Sequence, residues 1–279
     1  MNTAPLLVLT DFTPVADQAL QYAGFLAGQL ETSVVLLHVR RTSLLDAQAL
    51  TGKYPRRSEA EARALLAERC AGVQAGGTAC LSEIVEGDVA TAFAAAAQRF
   101  GALLAVAGKC NTEETPDELV DSTTLGLLTR TPCPLLIVPE AYRRRAVPAR
   151  VLVAADRDPV ELAGSGTAAN ALLRRWQPAV TVARIESLGS SEWPDATATA
   201  DMLSHTPLLA GIADIKPLHY GSLDVLGGIL SAVHDKRADW VVLVARRRSR
   251  LGQLFHRSVT AQVVLHSHVP VLVVSEAAA

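Results

Sequence analysis

Short apolar runs alternate along the chain with longer segments of helical periodicity. In the first half the apolar runs are LLVLT, VVLLHV, SEIVEG, LLAVAG and PLLIVP, and the helix-like segments include PVADQALQYAGFLAGQL and SEAEARALLAERCAG. Val- and Leu-rich runs without strict alternation are typical of strands buried on both faces, as in a parallel sheet between two layers of helices. Five such strands alternating with helices predict a doubly wound α/β domain.

The second half of the chain repeats the first. RVLVAADRDP at 150–159 resembles PLLVLTDFTP at 5–14, and RSVTAQVVLHSHVPVLVVSE at 257–276 resembles DSTTLGLLTRTPCPLLIVPE at 121–140. The stretch 189–215 is less clear, and we expect a helix within it. The repeat predicts two similar five-stranded parallel domains related by a pseudo-two-fold axis.

The penultimate strands supply a further match between the halves. ADWVVLVA at 238–245 aligns with GALLAVAG at 101–108. We therefore predict a first domain at 1–141 and a more divergent second domain at 150–279. The polar, Pro-containing segment 142–149 is predicted to be the linker between them.

Composition indicates a globular protein with two buried cores. Of the 279 residues 49% are hydrophobic and 19% are charged, and this length favours two domains. No apolar run approaches the roughly 18 residues that a membrane span needs. The N-terminal sequence also lacks the basic region of a secretory signal. We therefore expect a soluble cytoplasmic protein with no membrane partner.

The four cysteines, Cys70, Cys80, Cys110 and Cys133, are scattered through the first half. None forms a C-x-x-C pair, so the pattern favours reduced cytosolic thiols over a disulfide framework or a zinc site. Cys110 follows Lys109, whose charge would lower the thiol pKa, and a redox-sensing role for Cys110 is an alternative.

Charge is divided unequally between the halves. Residues 1–140 carry 10 Lys/Arg and 16 Asp/Glu, a net −6, whereas residues 141–279 carry 16 and 12, a net +4. Neither half is basic enough for nucleic acid to be a main partner. Two loops concentrate this charge: an acidic loop with Glu113, Glu114, Asp117, Glu118 and Asp121, and a basic loop with Arg246, Arg247, Arg248, Arg250 and Arg257. The loops either attract each other across paired domains or are solvated separately.

Four segments resemble the universal stress protein family in its tandem two-domain form. They are VLTDFTP, VVLLHV, VEGDVATAF and STTLGLLTRTPCPLLIVPE, in that order along the first half. The resemblance implies an adenine nucleotide alpha hydrolase-like fold with strand order 3-2-1-4-5. It also implies that the two domains pair, often through their last strands. A homodimer is an alternative assembly, and an unidentified protein is the expected partner.

Nucleotide-binding members of that family carry a loop of the form G-x2-G-x9-G-[ST] after the fourth strand. This chain keeps the spacing, with Gly108, Asn111 and Asp121 at the glycine positions. The resemblance implies that ATP or a related adenine nucleotide would bind in the first domain. Its base and ribose would contact Thr10, Asp11 and Val39, and its phosphates would lie against Gly108, Asn111, Ser122, Thr123 and Thr124.

The two substituted glycine positions affect phosphate binding differently. Glycine lets backbone N–H groups approach a phosphate with no Cβ in the way. Asn111 tolerates a left-handed conformation, but Asp121 would place a carboxylate beside the phosphate. Two unit charges about 4 Å apart repel by about 1–4 kcal/mol at effective dielectric constants of 80 to 20, unless Mg²⁺ bridges them.

The second half departs further from the nucleotide loop. The alignment places Ala245, Arg248 and Arg257 at its glycine positions and makes the loop one residue shorter. The arginines form either a solvated helix entrance or an anion site built from guanidinium groups. Any nucleotide is therefore expected in the first half only.

Other short motifs are better explained by local structure. GSGTAA at 164–169 fits a dinucleotide fingerprint, but it does not follow a strand directly and is predicted to begin a helix. The two histidines of HSH at 266–268 would point to different helix faces, so they are interpreted as helix-end residues rather than metal ligands. No motif identifies a catalytic residue.

Two functional classes are consistent with this sequence. One is an interaction protein with a degenerate nucleotide loop, acting through nucleotide-modulated or nucleotide-independent contacts with other proteins. The other is an ATP-binding stress protein with weak hydrolysis in the first domain. The substituted glycine positions favour the first hypothesis, whereas Asp11, Ser122 and Thr123 favour the second.

Overall fold

A computed structural model describes residues 4–40, 57–109, 122–155, 162, 164–187, 207–245 and 258–275. The first domain contains β1 (Leu6–Thr10), α1 (Pro14–Gln29), β2 (Val34–Arg40), α2 (Glu59–Ala75), β3 (Cys80–Glu86), α3 (Val89–Phe100), β4 (Leu104–Lys109), α4 (Ser122–Arg130) and β5 (Leu135–Pro139). The second contains β6 (Arg150–Ala155), α5 (Gly164–Trp176), β7 (Ala179–Ser187), β8 (Ile215–Ser222), α6 (Val225–Asp235), β9 (Trp240–Ala245), α7 (Val259–His266) and β10 (Val271–Ser275).

Polar caps in the sequence determine where the first helices begin. The Thr13 hydroxyl accepts a hydrogen bond from the Ala16 N–H, and Pro14 occupies the first turn of α1. Helix α2 begins with a capping box, in which the side chains of Ser58 and Glu61 each accept from the other's backbone N–H. These contacts satisfy N–H groups that have no partner within the first helical turn.

The strands of both domains join in one sheet, whose described part has the order β3-β2-β1-β4-β5-β10-β9-β6-β7-β8. Pairing is parallel within each domain, and the order 3-2-1-4-5 is confirmed in both. The last strands pair antiparallel, with Leu136 opposite Leu272. The two predicted sheets therefore form a single continuous sheet, related by a local two-fold axis between β5 and β10.

Helices cover both faces of this sheet, and each layer crosses the domain boundary. Successive strand residues point to opposite faces, so Leu6 and Val8 belong to the core on the face that α1, α2 and α5 cover. Leu7 points the other way and packs with α3, α4, α6 and α7. Because each face buries side chains from both halves, the two domains share two cores.

The predicted linker is packed against both domains. The Tyr22 hydroxyl of α1 donates to the carbonyl of Ala146 at 3.0 Å. The ring of Tyr142 packs edge-on against the Tyr22 ring, with 5.2 Å between the ring centroids. Arg144 forms an ion pair with Asp239, which is 3% exposed. The linker therefore holds the junction between the domains in place.

Two of the motifs lie at helix ends, as predicted. Helix α5 begins at Gly164, so GSGTAA forms its first turns, and α7 ends at His266. Most of the stretch 189–215, in which a helix was expected, falls outside the described residues. In its described part, residues 207–211 form turns and Ile215 begins β8. Among the described helices, none is long and apolar enough to cross a membrane.

Candidate nucleotide site

The predicted base-binding residues meet at the carboxyl ends of neighbouring strands. Strand β1 lies between β2 and β4, so the connections from β1 and β4 leave on opposite sides and open a crevice there. Thr10 ends β1, Val39 lies near the end of β2, and Gly108 lies near the end of β4. Asp11 directly follows β1. The structure therefore brings four of the eight predicted residues together.

The other four predicted residues are placed less completely. Ser122, Thr123 and Thr124 form the first turn of α4, which follows the loop after β4. Asn111 lies outside the described residues, as do Cys110 and Asp121. The acidic loop and the basic loop also lie outside them, so an attraction between these loops stays a prediction.

Thr10 is buried and takes part in the turn that follows β1. Its hydroxyl accepts from the N–H of Phe12 at 3.0 Å, and its carbonyl lies 2.9 Å from Nδ1 of His38. Burial lowers the pKa of His38, partly offset by this hydrogen bond to Thr10, so the neutral ring donates through Nδ1. The Thr10 hydroxyl is thus already used by the turn.

Asp11 is exposed, and its carboxylate organises the start of α1. Its Oδ1 accepts from the Thr13 N–H at 3.0 Å and from the Thr13 hydroxyl at 2.6 Å. Between them, Phe12 has a φ of 67°, a left-handed conformation that costs a non-glycine residue about 1–2 kcal/mol. The carboxylate contacts stabilise this turn, so Asp11 has a structural role independent of any ribose.

Gly108 is required by helix packing. A Cβ at this position would lie 2.6 Å from the Val15 carbonyl oxygen and 2.7 Å from Val15 Cγ1. Contacts this short are far inside the normal packing distance. Glycine therefore lets the first turn of α1 lie directly on β4, and its presence does not by itself indicate a phosphate.

Three side chains at the rim of the crevice, those of Phe12, Arg57 and Arg69, were not predicted from the sequence. The Phe12 ring contacts His38 at 4.4 Å, and the guanidinium carbons of Arg57 and Arg69 lie 5.1 and 5.3 Å from its centroid. Arg69 also makes a bidentate ion pair with Asp17, at 2.6 and 3.0 Å. Arg57 and Arg69 are distant from Phe12 in sequence, so no local pattern could reveal the cluster.

Lys109 follows Gly108 but points toward the second domain. Its ammonium group donates to the carbonyls of Leu265 and Ser267, the latter at 2.9 Å, at the end of α7. Burial lowers the pKa of Lys109 to about 8. The lysine that a phosphate would attract is therefore engaged in the contact between the domains.

The strand register corrects the alignment of the second domain by one residue. Leu6 pairs with Leu104, and its counterpart Val151 pairs with Trp240. Gly108 therefore corresponds to Val244, not to Ala245 as the sequence comparison proposed. The left-handed residues Gly101 and Arg237 fall at the same offset. The apolar strands of the two domains are too similar in sequence to determine how the domains align. The hydrogen bonds between the strands decide the alignment.

This correction has two consequences for the second domain. The segments from β4 to β5 and from β9 to β10 have equal lengths, so the predicted one-residue deletion and the placement of Arg248 at a glycine position were wrong. The second consequence concerns the helix that follows the first strand. A valine in place of Gly108 is incompatible with the close approach that α1 makes to β4 in the first domain. Consistent with this, α1 starts four residues after Thr10, whereas α5 starts nine residues after Ala155.

The second crevice also differs in its described side chains. Ala155 stands where the first domain has Thr10. Arg184, at the position of His38, lies 2.9 Å from Glu186 in an ion pair whose side chains are 13% and 5% exposed. A paired, buried arginine is not available to a ligand without breaking that pair, so the second crevice lacks the features of the first.

Comparison with known proteins finds the same family in both halves of the chain. A sequence model described as the Universal stress protein family matches residues 3–139 and 149–275. A universal stress protein from Archaeoglobus fulgidus has a similar structure, with TM-score 0.72, 18% identity, and 98% of each chain covered. A protein of unknown function from Pseudomonas aeruginosa PAO1 has TM-score 0.61 and 17% identity, covering 98% of this chain and 92% of its own. No curated protein matches the sequence.

Proposed function

Because the chain belongs to the universal stress protein family, with one domain in each half, we propose that it is a stress-associated protein that acts by binding other proteins. Its first domain retains a degenerate nucleotide crevice that modulates this binding or has lost its ligand. The chain works in the cytoplasm, as a tandem pair of domains or as a homodimer of such pairs.

One observation carries this proposal: three of the residues that match the nucleotide-binding pattern, Thr10, Asp11 and Gly108, are explained by contacts within the fold. The Thr10 hydroxyl and the Asp11 carboxylate stabilise the turn between β1 and α1, and Gly108 accommodates Val15. The fold would need these three residues even if the protein bound no nucleotide. Their match to the family pattern therefore adds little support for ATP.

The joined domains favour a role as a fixed binding surface. The sheet is continuous across the boundary, and Lys109 and Trp240 make buried polar contacts across it. Breaking the domains apart would expose both cores and leave these groups without partners. A partner protein would accordingly meet one composite surface rather than two independently moving domains.

ATP binding with weak hydrolysis is the second candidate, supported by the position of the first crevice. Thr10, Asp11, Val39 and Gly108 surround the point where the strand order reverses, which is where α/β sheets bind ligands. An adenine nucleotide would use Thr10, Asp11 and Val39 for its base and ribose. Gly108, Asn111 and Ser122–Thr124 would lie by its phosphates, and no side chain is assigned a catalytic role.

The two candidates are separated by measuring nucleotide content and affinity. The purified full-length chain is denatured, and its supernatant is analysed for nucleotide by absorbance and mass spectrometry. ATP is then titrated into the folded protein by calorimetry. We expect no stoichiometric nucleotide and no saturable binding in the micromolar range.

Matched variants identify the domain if ATP does bind. Replacing Ser122 and Thr123 by Ala should abolish binding in the first domain, and Ser258→Ala is the corresponding change in the second. Tight binding lost only in the Ser122/Thr123 variant would replace our proposal with the ATP-binding function. Loss in Ser258→Ala alone would show that the wrong domain had been assigned.

A further inference from the structure

Two cysteines that are ten positions apart in sequence meet between α2 and the edge strand β3. Cys70 lies near the end of α2, Cys80 is the first residue of β3, and their sulfurs are 2.7 Å apart. Both residues are buried, at 6% and 5% exposure. Cys80 corresponds to Ile215 in the second domain, so this pair belongs to the first domain alone.

The turn between α2 and β3 holds the two cysteines against each other. Gly77 adopts a φ of 85°, which lets the chain reverse sharply after the helix. The Gln74 side chain donates to the Cys80 carbonyl at 3.0 Å, and the Thr78 hydroxyl donates to the Gly24 carbonyl at 3.2 Å. A disulfide S–S bond is about 2.05 Å long, so the sulfurs need to move together by less than about 1 Å.

The two thiols are chemically unequal. A hydrogen bond with Cys80 lowers the pKa of the Cys70 thiol, and the same contact together with burial raises the pKa of Cys80. The Cys80 thiol can also donate to the Leu81 carbonyl at 3.7 Å, which favours its protonated form. Because the thiolate is the reactive form of cysteine, we assign Cys70 as the nucleophile of the pair. Cys80 is then the resolving thiol.

Access to the pair favours a small oxidant. The cysteines lie beneath the helix layer, and Arg69, which precedes Cys70 in sequence, lines a groove of about 490 Å³ between α1 and α2 together with Gly72 and Val73. Strand β3 forms one edge of the sheet, so this corner of the domain is covered by a single helix. Hydrogen peroxide is small enough to reach it, whereas a peptide disulfide would require α2 to move.

We propose that Cys70 and Cys80 form an intramolecular disulfide when the protein meets hydrogen peroxide, which makes the pair a redox-sensitive site of the first domain. The Cys70 thiolate attacks one peroxide oxygen, the O–O bond breaks, and Cys70 sulfenic acid and hydroxide form. The Cys80 sulfur then displaces the sulfenic hydroxyl, giving the disulfide. With the protons of both thiols, two molecules of water leave.

Peptide mapping of the full-length protein tests this directly. Trypsin cleaves after Arg69 and Arg99, so one peptide, 70–99, contains both cysteines, while Cys110 and Cys133 fall in other peptides. The folded protein is treated with peroxide, then denatured and alkylated, and peptide 70–99 should carry no alkyl group. Its mass should be lower than that of the dithiol by two hydrogens, and reduction should restore two alkylation sites.

Variants assign the roles of the two sulfurs. In Cys80→Ser the Cys70 sulfenic acid should persist and be trapped by dimedone, whereas Cys70→Ser should give no adduct at position 80. Cys133→Ser, which removes a buried thiol elsewhere, should still form the disulfide. Two alkyl groups on peptide 70–99 of the peroxide-treated wild-type protein would overturn the proposal, and so would a bond from either sulfur to Cys110. Both outcomes are read without any variant.

Discussion

The indole Nε1 of Trp240 donates a hydrogen bond of 2.8 Å to the Tyr22 hydroxyl, across the boundary between the two domains. Both side chains are almost fully buried. Burial raises the pKa of Tyr22, so its hydroxyl stays protonated and donates in turn to the Ala146 carbonyl. One tyrosine thus connects the first domain, the linker and the second domain.

Tyr22→Phe should destabilise the protein by about 1–3 kcal/mol, because it leaves the Trp240 N–H and the Ala146 carbonyl without this buried partner. The free energy of unfolding from urea titration measures the loss. Tyr220→Phe is the matched control, since the Tyr220 hydroxyl bonds Asp235 at the surface; its effect should stay within about 0.5 kcal/mol. Equal losses of unfolding free energy in the two variants would mean that the buried hydrogen bonds of Tyr22 stabilise the protein no more than a surface hydrogen bond does.

Asp239→Ala should destabilise the start of the second domain. The buried carboxylate accepts from the backbone N–H groups of Ala149 and Arg150 at 3.0 and 2.9 Å, besides its pair with Arg144. Hydrogen bonds to a charged group contribute about 1.5–3 kcal/mol, and we expect a loss of that order in urea unfolding. Asp214→Ala removes only an exposed pair with Lys216 and should change stability by less than about 1 kcal/mol.

Gly108→Ala should lower stability by about 1–3 kcal/mol, because the added methyl group overlaps the Val15 carbonyl and forces α1 away from β4. Gly72→Ala provides the opposite control, since a Cβ there meets nothing within 4 Å and the residue lies within α2. That change should stabilise the helix by about 0.5–1 kcal/mol. Thermal and urea unfolding report both, and a neutral Gly108→Ala would remove the packing explanation.

Lys109 should make the stability of the protein depend on pH in the alkaline range. Its folded pKa of about 8 lies below the ordinary lysine pKa of 10.5. Between these values the folded chain releases a proton that the unfolded chain still binds, so this group increases stability as pH rises. At one pKa unit per 1.36 kcal/mol, the gain approaches about 3 kcal/mol.

Comparing wild type with Lys109→Met isolates this effect from other titrating groups. The difference in unfolding free energy between the two proteins should change in favour of wild type from pH 8 to pH 10.5. Lys236→Met, which replaces an exposed lysine, should show no such change. A constant difference for Lys109→Met across the range would contradict the burial of its ammonium group.

The sequence alone determined the architecture, because architecture depends on features that repeat along the chain. The alternation of apolar runs with helical segments is enough for a doubly wound domain, and the duplicated ends are enough for two of them. Caps such as Thr13 and Ser58 act within one turn of a helix, so they also can be recognised locally. The meeting of Thr10, Asp11, Val39 and Gly108 followed from the family resemblance.

Tertiary structure decided the features that depend on contacts between distant segments. Hydrogen bonds between β6 and β9 showed that Val244 is the residue equivalent to Gly108, a one-residue difference that similar apolar strands cannot specify. Packing against Val15 explained Gly108, and α7 gave Lys109 its partner carbonyls. The turn after α2 brought Cys70 to Cys80. Each of these features depends on a contact between two segments of the chain, so the sequence of either segment alone does not determine it.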